Sequence, residues 1–322
     1  CSGLAIGMPK QDWMKLADRV ARAADPGAKS DLLGAETTLL NAEVGSRIRT
    51  GLDRMYDLFE QAPVLGSLID PRRAGGDLFA ADWDLLEPIL KQALSDGSDE
   101  VAEMAVAAQG LAKAADLLAK RYVLVATNVP YLMKNRFSRE IDEYFSTFYK
   151  RSKYDISTVF IEHFTERTYT GGSLAAVFPQ NCLFLGSYRE FRSDILSKHE
   201  ISFVVALGEE AWEAFGKRGP LATLACFQNH RPTKDASHLT IDATDQPDIN
   251  KKKIIIEQCY PNIVEQSRQW SNPDYRILTR LQELAQPLSS FSRSHQGATT
   301  GDNPKYISKF WEIPAQSVSW EF

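Results

Sequence analysis

The chain has 322 residues, and at roughly 150 residues per domain this length suggests about two domains. Its composition, with 43% hydrophobic, 25% charged and 10% aromatic residues, excludes a disordered chain, a collagen-like repeat and a disulfide-rich mini-protein. The net charge of −5 gives no indication of nucleic-acid binding, although an acidic protein can still carry a local basic face that binds nucleic acid. The longest apolar runs are too short to span a membrane, so we expect a cytoplasmic protein with no membrane partner.

The cysteines and histidines show none of the spacings that zinc sites use, and the cysteines form no disulfide framework. We therefore expect no metal site, reduced and mostly buried thiols, and histidines that lie in the core or on the surface. The residues concerned are Cys1, Cys182, Cys226, Cys259, His163, His199, His230, His238 and His295.

The first 120 residues have the three- and four-residue apolar spacing of amphipathic helices, and no segment among them predicts a buried strand. We therefore expect a helical segment over 1–120. The stripes that predict it are Ile48, Leu52, Met55, Tyr56 and Phe59; Trp83, Leu86, Ile89, Leu90 and Leu94; and Met104, Ala105, Ala108, Leu111, Ala115 and Leu118.

From residue 121 the pattern alternates between short apolar runs and helical stripes, which predicts an α/β fold with a parallel sheet. The predicted strands are RYVLVATN, expected to be buried, then SLAAVFPQN, EISFVVALG and LATLACFQN. One helix carries the apolar stripe Ile156, Val159, Phe160 and Phe164 and is expected to stop at Gly171 and Gly172. Another helix is SYREFRSDILSKH. The last two strands are separated by about a dozen residues, too few for a crossover helix, so we expect them to pair antiparallel.

The remaining third of the chain gives weaker signals. Residues 231–253 are polar with two prolines and predict a long surface loop, and the following IIIEQ predicts a short edge strand. A helix is expected over 275–284, and a connection rich in Ser, Gly and Pro over 287–305.

The segment with the clearest chemical content is YVLVATNVPY, residues 122–131. It places Asn128, Val129, Pro130 and Tyr131 at the carboxyl end of a parallel strand, where ligands bind in open α/β folds. The Asn128 side chain and the Val129 carbonyl can accept both hydrogens of an amine, and Pro130 restricts the backbone of Val129. Tyr131 adds a flat stacking face, so the set suits a planar aminated ring. The alternative is a plain strand-to-loop turn.

This motif resembles the (Asn/Asp)-Pro-Pro-(Tyr/Phe) motif of class I adenine-N6 DNA methyltransferases. The similarity extends to the large single-chain type IIG restriction-modification methylases and to the adenine methylases of BREX phage-defence systems. It covers about 118–311, and it includes KYDISTVFIEHF, GGSLAAVFPQNCLFLGSYREFRSDIL, FVVALGEEAWEAF and QGATTGDNPKYISKFWEI. The fold that it implies is the target-base half of a Rossmann-like class I methyltransferase sheet, in which parallel strands are joined by an antiparallel pair.

The resemblance assigns a role to each motif residue. Asn128 and the Val129 carbonyl become the acceptors of the adenine amino group, and Tyr131 becomes the stacking residue. Val129 stands where the family most often has Pro, and we expect this to be tolerated because the implied contact is through the main chain. Pro179 and Gln180 end the next strand on the same edge, where they either line the target-base pocket or form a simple strand exit.

The family binds S-adenosylmethionine on a glycine-rich loop followed by an acidic residue, and no such pair precedes Asn128. GLAIG at residues 3–7 lacks an acidic partner and a following helix start, so no cofactor-binding residue is assigned. The simplest interpretation is that the chain is an internal or split part of a larger methylase. The predicted division is a helical segment at 1–120, a catalytic core at 121–260, and a helix and linker to a recognition region at 261–322.

Three functions follow as hypotheses. The first is an adenine-specific DNA methyltransferase that acts on an adenine flipped out of double-stranded DNA, in restriction-modification or phage defence. The second is a non-catalytic DNA-binding or assembly subunit without the cofactor loop. The third is the same chemistry on a protein glutamine amide or on RNA.

Other polar residues have a simpler explanation. Asp155 is expected to cap a helix, the lysines at 251–253 to lie on a solvated loop, and Ser173 and Ser187 to have no triad partner.

Overall fold

The structure is a computed structural model that describes residues 6–23, 35–74, 99–209, 211, 219–279 and 290–293. It separates into two units, Cys1–Leu281 and Gln282–Phe322, and all elements below belong to the first. The three-part division at residues 120 and 260 remains a prediction.

In the described part of the chain, three long helices precede the sheet: α1 (Lys10–Ala23), α2 (Ala35–Glu60) and α3 (Asp99–Ala119). Their apolar stripes form a common core in which Trp13, Leu52 and Phe59 are fully buried. The Trp13 indole donates to the Leu52 carbonyl at 2.7 Å, which satisfies its one polar atom. The predicted helical segment is therefore confirmed for these ranges, while the stripe from Trp83 to Leu94 lies outside the described residues.

Six strands form one mixed sheet in the order β1-β2-β4-β3-β5-β6. β1 is parallel to β2, β4 is antiparallel to both β2 and β3, β3 is parallel to β5, and β5 is antiparallel to β6. The predicted α/β fold with parallel strands and an antiparallel β3–β4 pair is thereby confirmed, and the sheet has two further antiparallel pairings, β2–β4 and β5–β6. The strands are β1 (Tyr122–Asn128), β2 (Thr168–Pro179), β3 (Glu200–Gly208), β4 (Ala222–Gln228), β5 (Ser237–Asp242) and β6 (Asn262–Glu265).

In the described part of the sequence, four further helices lie between these strands, and two α-helices of a single turn are also present. They are α4 (Arg139–Phe148), α5 (Ile156–Thr165), α6 (Arg189–Lys198) and α7 (Ile249–Gln258), with single turns at Ala62–Leu65 and Gln266–Gln269. The side chains of Phe191, Ile195 and Leu196 on α6 are buried.

The prediction that the first strand is buried is wrong. β1 lies at the edge of the sheet, and Val123 and Leu124 expose 71% and 61% of their surface. Its apolar composition matched that of a central parallel strand, but composition does not reveal how many neighbours a strand has. Within the described part of the chain, β1 has a partner on one side only.

The glycine pair at 171 and 172 does not end the preceding helix, because α5 already ends at Thr165. Both glycines lie inside β2, where the register against β1 shifts between Tyr122 and Leu124. Gly171 has a φ of +82°, and a Cβ on Gly172 would lie 2.8 Å from the Val123 carbonyl oxygen. The glycines therefore permit a bulge and a close approach of the two backbones.

Three predictions in the last third of the chain are also wrong. The expected loop at 231–253 contains β5 and the start of α7, and IIIEQ belongs to α7 rather than to an edge strand. The sequence pattern missed β5 and α7 because both contain buried polar residues. Thr240 is buried in β5. Lys252 is buried in α7, where its ammonium donates to the Leu207 and Ala243 carbonyls. Residues 276–279 are not helical, and the rest of the helix expected at 275–284 lies outside the described residues.

Candidate active site at the carboxyl edge of the sheet

The parallel pairing of β1 and β2 brings the predicted site residues to one edge of the sheet. Asn128 is the last residue of β1 and lies beside Val177, two residues before β2 ends at Pro179. Asn128 and Pro130 are exposed, Val129 between them is 3% exposed, and Tyr131 is half-buried. The motif therefore alternates, with the Asn128 amide outside and the Val129 side chain anchored in the core.

The valine at position 129 makes a contact that proline could not make. Its N–H donates to the Val177 carbonyl at 3.2 Å, which extends the β1–β2 pairing by one residue beyond Asn128. A proline has no such donor. The departure from the family pattern thus adds a hydrogen bond in this chain, and it leaves the Val129 carbonyl in place as an acceptor.

Tyr131 reaches into the protein interior with its polar end. Burial raises its pKa to about 12, and the nearby Cys182 thiol and Asp155 carboxyl add to the effect. The hydroxyl therefore stays protonated, and the ring packs partly against the core. The remaining exposed part of the ring is the surface available for stacking.

The chain beyond Tyr131 is held by the segment that begins α5. The Ile156 N–H donates to the Leu132 carbonyl at 2.9 Å, and the Lys134 N–H donates to the Tyr154 carbonyl at 3.0 Å. Asp155 caps α5 by accepting from the Ser157 N–H at 2.8 Å, which confirms its expected capping role.

Pro179 and Gln180 leave β2 on the same edge, as predicted. Pro179 is buried, and the Gln180 N–H donates to the Leu221 carbonyl at 2.9 Å. The Gln180 side-chain oxygen is buried and accepts no hydrogen bond from any described residue. A buried acceptor without a donor is costly, so this atom is suited to receive a donor from a bound molecule.

A buried arginine that sequence reasoning missed fixes the segment after Gln180. Arg192 is fully buried on α6 and donates to the carbonyls of Cys182, Leu185 and Asp274 at 2.8–3.1 Å. Burial lowers its pKa to about 10, with the Asp274 charge acting in the opposite direction. In the sequence, Arg192 stands among ordinary polar helix residues, so only the fold reveals this role.

The described residues contain no group of three or more His, Cys, Asp or Glu side chains that could hold a metal ion. His163 and His238 are each 1% exposed, and burial lowers their pKa to about 3 and about 4. These two histidines are core residues. His295 and Cys1 lie outside the described part of the chain. None of the described helices is both long and apolar enough to cross a membrane.

The described residues before β1 contain no glycine-rich loop of the kind that binds S-adenosylmethionine. Within the described ranges β1 is the first strand, and only helices precede it, so no strand-to-helix glycine loop is present there. A helix does follow GLAIG, since α1 begins at Lys10, and on this point the sequence expectation was wrong. The start of GLAIG lies outside the described residues.

Comparisons with known proteins find restriction-modification and adenine-specific methylases, the class that the motif resembles. Residues 80–212, which include the motif and Gln180, match the Eco57I restriction-modification methylase family. The chain is 23% identical over 230 residues to adenine-specific methyltransferase PglX of Lacticaseibacillus casei (strain Zhang). It is 28% identical over 187 residues to adenine-specific methyltransferase BrxX of Escherichia coli O9:H4 (strain HS).

These alignments cover 66% and 58% of this chain but 19% and 15% of the two relatives, so the chain spans about a fifth or less of their length. Among solved structures, a type I restriction-modification methyltransferase subunit from Streptococcus thermophilus aligns with a TM-score of 0.38 and 15% identity. That alignment covers 54% of this chain and 45% of the other. The predicted resemblance to restriction-modification methylases is confirmed, since residues 80–212 match the Eco57I restriction-modification methylase family.

Proposed function

We propose that this chain takes part in site-specific methylation of DNA at N6 of adenine, and that it holds the target base at the carboxyl edge of β1 and β2. The observation that carries the proposal is the arrangement at the end of β1. The Asn128 amide is exposed, the Val129 N–H is bonded to Val177, and part of the Tyr131 ring remains open. Enzymes that act on flipped bases use such acceptors and stacking faces.

Each residue has a defined task in this proposal. The Asn128 side-chain oxygen and the Val129 carbonyl accept the two amino hydrogens, which orients the nitrogen lone pair away from the protein. The amine gains positive charge as the new bond forms, and two fixed neutral acceptors stabilise that charge more than the ground state. Tyr131 stacks on the ring, and the buried Gln180 oxygen offers a further acceptor near the base.

S-adenosylmethionine is the methyl donor in this proposal, and double-stranded DNA is the substrate. The described residues offer no cofactor loop, so we propose that the remainder of a larger or split methylase supplies it. A cytoplasmic location and a role in restriction-modification or phage defence belong to the same proposal.

The expected behaviour toward the cofactor tests this division of labour. The isolated chain should bind S-adenosylmethionine weakly or not at all, because the described residues lack the loop that would grip its carboxylate and ribose. Isothermal titration calorimetry of the chain alone measures this directly. A micromolar dissociation constant would show that the cofactor site lies within this chain.

The second candidate is a non-catalytic DNA-binding or assembly subunit, and the helices that precede β1 where a cofactor half would stand favour it. Transfer of a labelled methyl group, measured in the complete enzyme, distinguishes the two candidates. The substrates are an adenine-containing DNA duplex, an RNA of the same sequence and a glutamine-containing protein. Label on N6 of adenine in the duplex supports the proposal, and label on RNA or protein alone contradicts it. Transfer that does not depend on Asn128 supports the non-catalytic subunit.

A further inference from the structure

The segment that follows the motif is tied to the start of α5 by main chain and side chain together. Met133 and Asp155 form an isolated antiparallel bridge, flanked by the Leu132–Ile156 and Lys134–Tyr154 hydrogen bonds. This short ladder begins one residue after Tyr131. The ladder therefore couples the start of α5 to the backbone that follows Tyr131.

The Asp155 carboxylate makes contacts beyond the capping hydrogen bond from the Ser157 N–H. It also accepts from the Ser157 hydroxyl at 2.7 Å and from the Tyr188 hydroxyl at 3.3 Å. The Leu132 N–H faces the carboxylate. The side chain is 3% exposed, so these donors replace its hydration.

We infer that Asp155 is a positioning residue for the proposed adenine site, because its backbone pairs with Met133, two residues after Tyr131, while its carboxylate joins the start of α5 to Tyr188. This inference rests on the proposed function for its consequence in catalysis. Its geometric part stands on these contacts alone. Asp155 thus connects three parts of the site, since Met133 follows the motif, Ser157 lies on α5 and Tyr188 precedes α6.

The groups that face Asp155 are all neutral. They are Ser157 on α5, Tyr188 before α6, the Cys182 thiol after β2, and Tyr131 with the Leu132 N–H beyond β1. No described Lys, Arg or His forms an ion pair with it. Burial raises the pKa of Asp155, and the hydrogen bonds from Ser157, Tyr188 and Leu132 act against that rise. Neutral donors at fixed positions orient the Asp155 carboxylate and also stabilise its charge, and orientation is what a positioning residue must provide.

The chain contains a matched control in Asp248. Asp248 caps α7 by accepting from the Lys251 N–H at 2.9 Å, and its φ of −147° is close to the −150° of Asp155. Its side chain is 48% exposed and lies at the other end of the sheet order from the motif. Asp248→Ala therefore removes a similar cap without touching the predicted site.

The first measurement is steady-state methyl transfer by the complete enzyme carrying Asp155→Ala, Asp155→Asn or Asp248→Ala. A displacement of a reacting group by about 1 Å costs roughly 100-fold in rate, so we expect Asp155→Ala to lower kcat by about that factor with little change in the KM for S-adenosylmethionine. Asp155→Asn keeps one acceptor oxygen for Ser157 and should recover about tenfold of the loss. Asp248→Ala should keep the normal kcat. Equal kcat values in Asp155→Ala and Asp248→Ala would overturn the inference.

The second measurement does not depend on activity. Amide hydrogen exchange at Ile156 and Lys134 should accelerate in Asp155→Ala and stay unchanged in Asp248→Ala, as read on the isolated chain. Unchanged exchange at these amides in Asp155→Ala overturns the inference even if activity falls. If the wild-type enzyme transfers no methyl group to adenine, the proposed function fails, and amide exchange alone decides whether the Asp155 contacts hold the segment.

Discussion

Ion pairs lie at the amino end of the parallel strands β1 and β2, whereas mainly neutral groups lie at their carboxyl end. At the amino end, Arg167 lies just before β2, is 3% exposed and pairs with Asp70 at 2.9 Å. Asp70 also forms ion pairs with Arg72 and Arg73. Burial alone would raise the pKa of Asp70, but the Arg72 hydrogen bond and the Arg167 charge lower it below its ordinary value.

The carboxyl end presents mainly neutral groups. Asn128, the Val129 carbonyl, Gln180 and the protonated Tyr131 are uncharged, and the nearby Asp155 is enclosed by donors. The ionic end holds the fold together, and the neutral end is where we propose the adenine site. The ionic end joins residues 70–73, which precede the sheet, to the sheet, whereas the neutral end offers acceptors that remain available to a neutral amine.

The largest effect is expected from breaking the ionic end. Asp70→Asn leaves Arg167 buried without its counter-charge, and removing one partner of a buried pair typically costs about 3–5 kcal/mol. Chemical denaturation measures the loss in free energy of unfolding. Asp53→Asn is the control, because its pair with Lys10 at 3.0 Å is exposed and should be worth at most about 1 kcal/mol. Similar losses in both variants would mean that Asp70 does not compensate Arg167.

A comparable effect, on rate rather than on folding, is expected at the neutral end. Asn128→Ala removes one acceptor of the developing charge and should lower kcat of the complete enzyme about 100- to 1,000-fold. The side chain is exposed, so the circular dichroism and melting temperature should not change. Asn262→Ala, at an exposed asparagine on the far edge strand β6, should leave kcat unchanged. Near-normal turnover in Asn128→Ala would remove Asn128 from the proposed site.

The two ends should also respond to acid with opposite signs. The pKa of His163 near the ionic end is lowered to about 3 by burial and by the Arg167 charge, and the Tyr149 hydroxyl lies 2.7 Å from its Nδ1. Its contribution is therefore present above the unfolded pKa of about 6.5 and is lost as the pH falls. Between pH 7 and pH 5 the wild type should lose roughly 2 kcal/mol more than His163→Gln, which does not titrate. Urea unfolding at both pH values measures this difference.

Asp155 provides the contrast at the other end. Its folded-state pKa is raised, so the stability linked to its titration is present at low pH and is lost as the pH rises through that pKa. Relative to Asp155→Asn, the wild type should therefore gain stability on acidification. A loss with the same sign as that of His163 would contradict the assigned shift.

The same contrast explains what the sequence could predict. Short apolar runs and the brief connection between β3 and β4 were enough to predict the mixed sheet, and the motif placed Asn128 and Tyr131 at its edge. The pair of Asp70 and Arg167 joins positions 97 residues apart, and no local pattern marks such a contact. Buried Lys252 and Thr240 likewise made α7 and β5 read as a polar loop, because hydropathy cannot show that a polar group has found its partners.

The smallest expected effect concerns the stacking face of Tyr131. Its ring is half-buried and its hydroxyl lies inside, so Tyr131→Phe should keep most activity. Tyr131→Ala should weaken base binding by roughly 1–3 kcal/mol, the usual size of an aromatic–base stack. Tyr260→Ala, at a tyrosine that is 98% exposed, is the control for loss of an aromatic side chain.

If Tyr131 served only the core, Tyr131→Ala would instead cost about 3–5 kcal/mol of folding stability, as large-to-small core changes do. Thermal melts and binding to a duplex with an unpaired adenine, measured on the same variants, distinguish the two roles. A large drop in melting temperature with unchanged base affinity of the folded protein would assign Tyr131 to the core. The adenine site would then lack its stacking face, and the roles of Asn128 and the Val129 carbonyl would lose the ring that aligns the base with them.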